Sequence, residues 1–366
     1  MDTFTHAVLG AVTSQLGFRQ RIGREAAWVA AGIAIIPDLD MTVLSVKSFF
    51  GVPKMTFDMM VVHRGLSHSL LLLPLLAIPL ALLWRAVRRR FAKGAGPSFW
   101  LLYFCVLAAL WSQPLLDIFT SYGTQIFLPL ANVRVAIDAL PIVDIIYTPI
   151  LLLTLLACLV VRLMKRRGAT KVAWIGFLLS VGYIAAGFGI HEAVLRQAKI
   201  QIGDCGQDRA AVAEFHAYPQ IGTIFVWRVT RHCPRSWLAA RVNVLFGIDF
   251  KNAAQNSADV VENEWTRKAR ELPEIKTFYW FALGQVRVMY SEENGNHLVD
   301  FYDMRYGVRP ESLDAMWFAR ATFDRDGKPV GVESMRPYDR LRYRNSAEQL
   351  WRDITHPSTK NEEENK

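Results

Sequence analysis

The sequence predicts an α-helical polytopic membrane domain followed by a soluble, mainly antiparallel β (α+β) domain, and three observations carry that prediction. Apolar runs at 66–88, 97–116, 145–164 and 171–190 each approach the roughly 20 residues a helix needs to cross a bilayer core, and mean hydropathy is +0.17. Beyond about residue 190 no long apolar run recurs, and charged residues alternate with short β-rich pieces. The cations gather in three short loops: Arg19, Arg21 and Arg24; Arg85, Arg88, Arg89, Arg90 and Lys93; Arg162, Lys165, Arg166, Arg167 and Lys171. A formal charge of +9 and a pI of about 9.4 would suit a nucleic-acid partner, but basic loops between apolar spans mark the cytoplasmic side of a membrane. No nucleic-acid partner is expected.

Taken in chain order, the elements give a self-consistent topology. The start MDTFTHAVLG lacks the basic n-region and small-residue cleavage site of a secretory signal, so it is expected to be retained and built into the fold. With loop 18–25 inside, the helix before it runs inward and segment 26–36 runs outward. Span 66–88 then runs inward and span 97–116 outward, while 145–164 and 171–190 form a hairpin. The N-terminus, the PDLD turn, the entry to span 66–88 and Asp117 all fall on the outer face, together with the C-terminal domain. The expected units are a membrane helical domain at 1–190, whose hairpin 145–190 links to the outer domain, an extracytoplasmic β-rich domain at 191–350, and a polar disordered tail at 351–366. The expected location is the cytoplasmic (inner) membrane. Cys105 and Cys158 lie in apolar spans and suit small core positions. Cys205 and Cys233 lie in the outer domain, where an oxidising compartment would permit a bridge, although spacing alone leaves it open.

The chemistry-bearing residues interrupt the apolar segments at four places: Asp2 and His6 in MDTFTH, Asp38 and Asp40 in IIPDLD, His63 and His68 in HRGLSHS, and Asp117 in PLLDIFTSYGTQ. Ionisable groups at membrane depth are costly unless they meet a partner, a wet cavity or a cation, so such a cluster is a site by default. Asp2 and His6 are spaced i, i+4 on one helical face; Asp2 also suits a helix N-cap. Pro37 ends or bends its helix, which leaves Asp38 and Asp40 at a helix end, either as ligands or as turn residues. His63 and His68 are five apart, too far round a continuous helix to share a face, so His63 is placed in the entry loop and His68 in the first turn of the span. Arg64 beside them suits a phosphate or carboxylate partner, or a salt bridge to Asp58 or Asp38. Imidazole with carboxylate suits zinc first, and also manganese or iron. Three His and up to four Asp exceed the four ligands of a closed structural zinc site, which favours an open or dinuclear site holding one or two ions.

The motifs D-x-x-T-H, P-D-x-D, H-R-G-x-x-H-S and D-x-x-x-S-Y-G-T-Q resemble the YdjM/YfhP family of membrane-bound proteins regarded as metal-dependent hydrolases. The resemblance covers about the first 150 residues. YPQIGTIFVWRV, FALGQVRVMY and FYDMRYG look like that family's C-terminal extension, with far less diagnostic power. A more distant likeness links the family to zinc-dependent phospholipase C and the fungal-type zinc nucleases. The resemblance implies that His6, Asp38, His63, His68 and Asp117 are metal ligands and that Asp2 or Asp40 is a ligand or base; it does not fix the substrate.

Between 212 and 345, alternating segments such as TIFVWRVT, QVRVMYS and HLVDFYDMRYG, separated by turn signals NGN and DRDGK, read as antiparallel strands. His216, His232 and His297 are expected at the surface or in turns. Three function classes remain open. The first is a hydrolase of a phosphoester in a lipid or lipid-linked substrate, with Asp2, Asp40 and Arg64 as its catalytic candidates. The second is an intramembrane proton or cation relay. The third is a metal-stapled scaffold whose outer domain binds a protein partner.

Overall fold

A computed structural model describes residues 1–41, 57–91, 96–205, 212–307, 309–335 and 346–356. The chain divides into two compact units, one of residues 1–52 and 62–187, the other of 53–61 and 188–366.

In the first unit, helices α1 (Thr3–Gln15), α2 (Phe18–Ile22) and α3 (Ala26–Ala34) are followed by a 3-10 turn, Ile36–Asp38. Helix α4 (Phe57–Val62), which but for Val62 belongs to the second unit, precedes a second 3-10 turn, Leu66–His68, and the long helices are α5 (Leu73–Phe91), α6 (Phe99–Asp117), α7 (Tyr147–Leu163) and α8 (Ala169–Gln201), the last continuing into the second unit. Gly10 lets α1 lie directly on α3: a Cβ there would overlap the Ala34 methyl and the Ala30 carbonyl. The core joins α3, α5 and α6 through Ala30, Ile33, Ala77, Ala81, Leu102, Val106 and Leu110. Cys105 and Cys158 are both buried free thiols, as their apolar settings predict.

Large apolar side chains also face outward, among them Leu75 and Leu83 on α5, Leu153 and Leu156 on α7, and Ile175, Leu178 and Leu179 on α8. Rows of this kind are unfavourable against water and natural against lipid. Among the described residues, α6 and α8 are long and apolar enough to cross a membrane, and the bent pair α4–α5 adds a third span if it counts as one. Helix α7, expected as a full span, is a shorter apolar helix. The apolar run 66–88 does not begin as a helix. Its first residues form the 3-10 turn and α5 starts only at Leu73, because Ser69 accepts from the Leu71 and Leu72 amides and donates to the Leu128 carbonyl.

The second unit holds two four-stranded antiparallel meanders. The first comprises β1 (Glu214–Pro219), β2 (Val226–Cys233), β3 (Ser236–Asn243) and β4 (Gln255–Asp259). The second comprises β5 (Val286–Glu293), β6 (Asn296–Asp303), β7 (Phe318–Phe323) and β8 (Pro329–Met335). Asn294 and Gly295, both at positive φ, turn β5 into β6 as the NGN signal predicts. The last turns of α8 cover the first sheet, with Val194 and Ala198 against Trp227, Val229 and Val242. Cys205 and Cys233 form a disulfide.

Three features of this unit refine the strand pattern, and the last corrects an expectation. Helices α9 (Glu264–Arg270) and α10 (Pro273–Phe281) separate the two meanders; α9 starts at a capping box formed by Asn263 and Thr266, a signal that the strand-dominated reading passed over. His216, His232 and His297, expected at the surface or in turns, are partly exposed strand residues, and His232 and His297 stack on Trp237 and Trp265 at 4.2 and 3.8 Å. The tail does not begin at 351: helix α11 (Ser346–Thr355) runs through it, because Asp353 pairs with Arg241 and Asn243 donates to the Asp353 and Ile354 carbonyls. Residues from 357 onward lie outside the described set.

Candidate metal centre

The four ligand-bearing segments meet within the first unit. Asp38 ends the 3-10 turn after α3, where Pro37 has removed an amide donor and stopped the α-helix. His68 ends the second 3-10 turn, and Asp117 is the last residue of α6. Asp38, His68 and Asp117 each offer one ligand atom, and those atoms lie within 4.8 Å of one another. His68 Nε2 is 3.5 Å from Asp38 Oδ1 and 3.5 Å from Asp117 Oδ2. His6, from α1, sets Nε2 3.2 Å from Asp117 Oδ1.

Asp117 is the least expected of these groups on local grounds. A carboxylate at a helix C-terminus faces the negative end of the macrodipole, and this one is wholly buried. Cations compensate it: Arg64 Nη2 lies 3.0 Å from Oδ1, and the Met1 amino group contacts the same oxygen.

Beside this triad lies a second layer. Asp40 accepts from the Arg64 amide at 3.2 Å and from Ser67 Oγ at 2.7 Å, and its Oδ1 lies 2.9 Å from His63 Nδ1. Ser67 Oγ is in turn 2.9 Å from His68 Nδ1. Asp40 thus reaches the back of His68 through a serine while Nε2 faces the two other carboxylates. Arg64 sits at φ 58, fixed on both sides: Nη1 donates to Thr120 Oγ1 at 2.8 Å and its carbonyl accepts from the Gln125 amide at 2.9 Å. Its guanidinium and that of Arg134 flank the Tyr122 ring at 4.9 and 5.1 Å.

The structure therefore brings Asp38, His68 and Asp117 together with His6 against them, and places His63 and Asp40 as a pair beside them. Asp2 is used otherwise. Its carboxylate caps α1, accepting from the Thr5 amide at 2.9 Å and the Thr5 hydroxyl at 2.6 Å, which is the alternative its position before an apolar helix allowed. The Arg64 salt bridge forms with Asp117 and not with Asp58 or Asp38. Gln113 was missed: it is fully buried, with Nε2 3.4 Å from His68 Nε2. Its i, i+4 spacing from Asp117 on an otherwise apolar helix was the available signal.

The fit to a divalent cation rests on buried polar atoms that have no hydrogen-bond partner, His6 Nδ1, Asp117 Oδ2 and Gln113 Oε1, and on His6 Nε2, which faces Asp117 Oδ1 at 3.2 Å. Each such atom costs about 1–3 kcal/mol if left unsatisfied, and imidazole with carboxylate is a donor set suited to zinc or manganese.

No curated protein and no solved structure shows significant similarity to the chain. The family described as YdjM inner membrane protein matches residues 1–193, a stretch that holds every residue of the site. On that match over more than half of its length, the chain belongs to the YdjM inner membrane protein family.

Proposed function

We propose that the protein is a membrane-bound metal-dependent hydrolase acting on a phosphoester in a lipid or lipid-linked substrate. One observation carries this reading: a buried His and two carboxylates converge within 4.8 Å, with the orphaned atoms of His6 and Asp117 beside them. Asp38, His68 and Asp117 would hold the ion, with His6 completing the set. A divalent ion there would supply Lewis-acid activation of water and of a phosphoryl oxygen.

The chain's own residues supply the rest. Asp40, through Ser67, fixes the ring orientation of His68 and so directs Nε2 at the site, a role for which second-layer carboxylates are suited. Arg64 neutralises Asp117 and keeps Nε, which has no hydrogen-bond partner, as a donor for a phosphoryl oxygen. The Cys205–Cys233 bridge supports an extracytoplasmic second unit, since disulfides persist in oxidising compartments, and supports a multi-pass topology with the basic loops inside.

The test is turnover of phospholipids and generic phosphodiesters by the purified protein in detergent with zinc or manganese. The expected result is hydrolysis that chelation and His68→Ala both abolish. Bound metal without turnover across that panel would reject the hydrolase reading for those substrates. Arg64→Lys sharpens the assignment: metal is expected to stay while turnover drops on the order of tenfold, because lysine lacks the planar fork. Normal turnover would remove Arg64 from the site.

A further inference from the structure

The loop that follows α6 has two faces. None of residues 118–133 is charged, and they run from the buried Asp117 to the buried Arg134 largely through turns. The base of the loop is closed and bonded. Thr124 and Val135 exchange backbone hydrogen bonds at 3.0 and 2.9 Å, which gathers 125–134 into a compact loop. The Gln125 amide donates to the Arg64 carbonyl at 2.9 Å, the Leu70 amide to the Ile126 carbonyl at 3.1 Å, and the Ser69 hydroxyl to the Leu128 carbonyl. The loop is thus tied to the chain on both sides of His68.

The tip presents the opposite chemistry. Phe127, Leu130 and Val133 are 48, 83 and 54% exposed, while the Leu130 and Ala131 amides turn inward to the Phe127 carbonyl at 2.9 and 3.2 Å. Large apolar side chains clustered over inward-turned amides are unfavourable against water and suited to lipid. Two observations name lipid as what covers them. Helix α6, long and apolar enough to cross a membrane, ends at Asp117, and α5 begins at Leu73, just after the residues that hold the loop. The loop therefore stands level with the ends of both helices, at the depth of the lipid headgroups. The Leu70–Ile126 bond also sets it beside the exposed Leu71, from which the outward-facing Leu75 continues along α5. The tip extends the apolar surface that these helices turn outward.

We propose that Phe127, Leu130 and Val133 form a lipid-docking surface, whose side chains enter the bilayer at the boundary between headgroups and acyl chains. Through the bonds at Arg64, Ser69 and Leu70, the inserted tip holds the candidate metal centre at headgroup depth. The inference concerns the membrane contact of the loop and does not depend on the reaction proposed for the centre.

The test is electron paramagnetic resonance of the full chain in vesicles of phosphatidylethanolamine and phosphatidylglycerol, with a nitroxide attached to Leu130→Cys. Cys105 and Cys158 are buried and Cys205 is bridged to Cys233, so the new thiol takes the label. A nitroxide on Lys251→Cys, an exposed position of the second unit, is the reference for water. The expected result is that dissolved oxygen, which concentrates in lipid, relaxes the label at 130 several-fold more than a water-soluble nickel chelate does, with the order reversed at 251. Nickel access at 130 equal to that at 251 would place the tip in water. A label shielded from both reagents would place it against protein, such as a second copy of the chain. Either outcome overturns the proposal. Hydroxyl-radical footprinting of the unmodified chain in lipid nanodiscs decides the matter if a cysteine variant fails to fold. It should spare Phe127 and Leu130 and oxidise Phe246 and Leu245, which are 52 and 54% exposed in the second unit. Equal oxidation of the two pairs would overturn the proposal as well.

Discussion

Two buried charge clusters, one in each unit, show what separates a site from a structural ion pair. In the second unit Asp303 and Arg305 are both buried, yet Asp303 Oδ1 accepts from the Arg305 amide and Nε, and Oδ2 from Nη2 at 2.7 Å. Both carboxylate oxygens are satisfied within the pair. In the first unit Asp117 is as deeply buried, but its Oδ2 has no hydrogen-bond partner, His6 Nε2 lies 3.2 Å from its Oδ1, and a second carboxylate and a second imidazole converge on the same point. Burial of charge is common to both. What distinguishes the first cluster is a surplus of lone pairs aimed at one place, which is what a cation satisfies.

The comparison breaks most visibly at the structural pair. Asp303→Asn leaves Arg305 buried and uncompensated, so chemical denaturation should show a loss of about 3–5 kcal/mol with metal content unchanged. A fall in metal content on that substitution would erase the distinction. Next in size, Asp40→Asn should leave the fold intact but weaken metal affinity by roughly 10–100-fold, the usual effect of removing a second-layer partner; competition with a chelating dye measures it. Affinity equal to wild type would show that Ser67 and Asp40 do not orient His68.

Asp2→Ala separates a cap from a ligand. The capping geometry predicts a loss of about 1 kcal/mol and full metal occupancy, read by thermal melting and elemental analysis together. The smallest effect is in the second unit. Burial holds His216 and His232 below the ordinary 6.5, so the unfolded state binds protons first as pH falls. Their contribution is complete above pH 6.5 and is lost as pH drops through the folded values. Tryptophan fluorescence on denaturation, with Trp237 beside His232 as reporter, should show falling stability below pH 6.5 and a smaller fall in His216→Asn/His232→Asn. A pH-independent midpoint would contradict the assignment.

The candidate site was legible in the sequence to the extent that its residues break apolar segments. His68, Asp38 and Asp117 stand out because nothing in a lipid-facing helix explains them. Asp2 could not be separated from a ligand by pattern, since a cap and a ligand both favour Asp before a helix and only the Thr5 contacts decide. Ser67 was invisible as a site residue because neutral polar side chains are tolerated in turns without a role, and Gln113 offered only its i, i+4 spacing from Asp117. In the fold, the meanders followed from alternation and turn residues, whereas α9 and α10 did not, because they are only 7 and 9 residues long, too short for a periodic signal against flanking strands.

Elemental analysis of the purified protein and its variants tests the central claim most directly. One to two divalent ions per chain are expected in the wild type, falling sharply in His68→Ala, Asp38→Ala and Asp117→Ala, with His232→Ala and Asp303→Asn unchanged. Metal content that is the same in all of these variants and the wild type would mean that Asp38, His68 and Asp117 are buried polar groups paired with one another and not a metal centre.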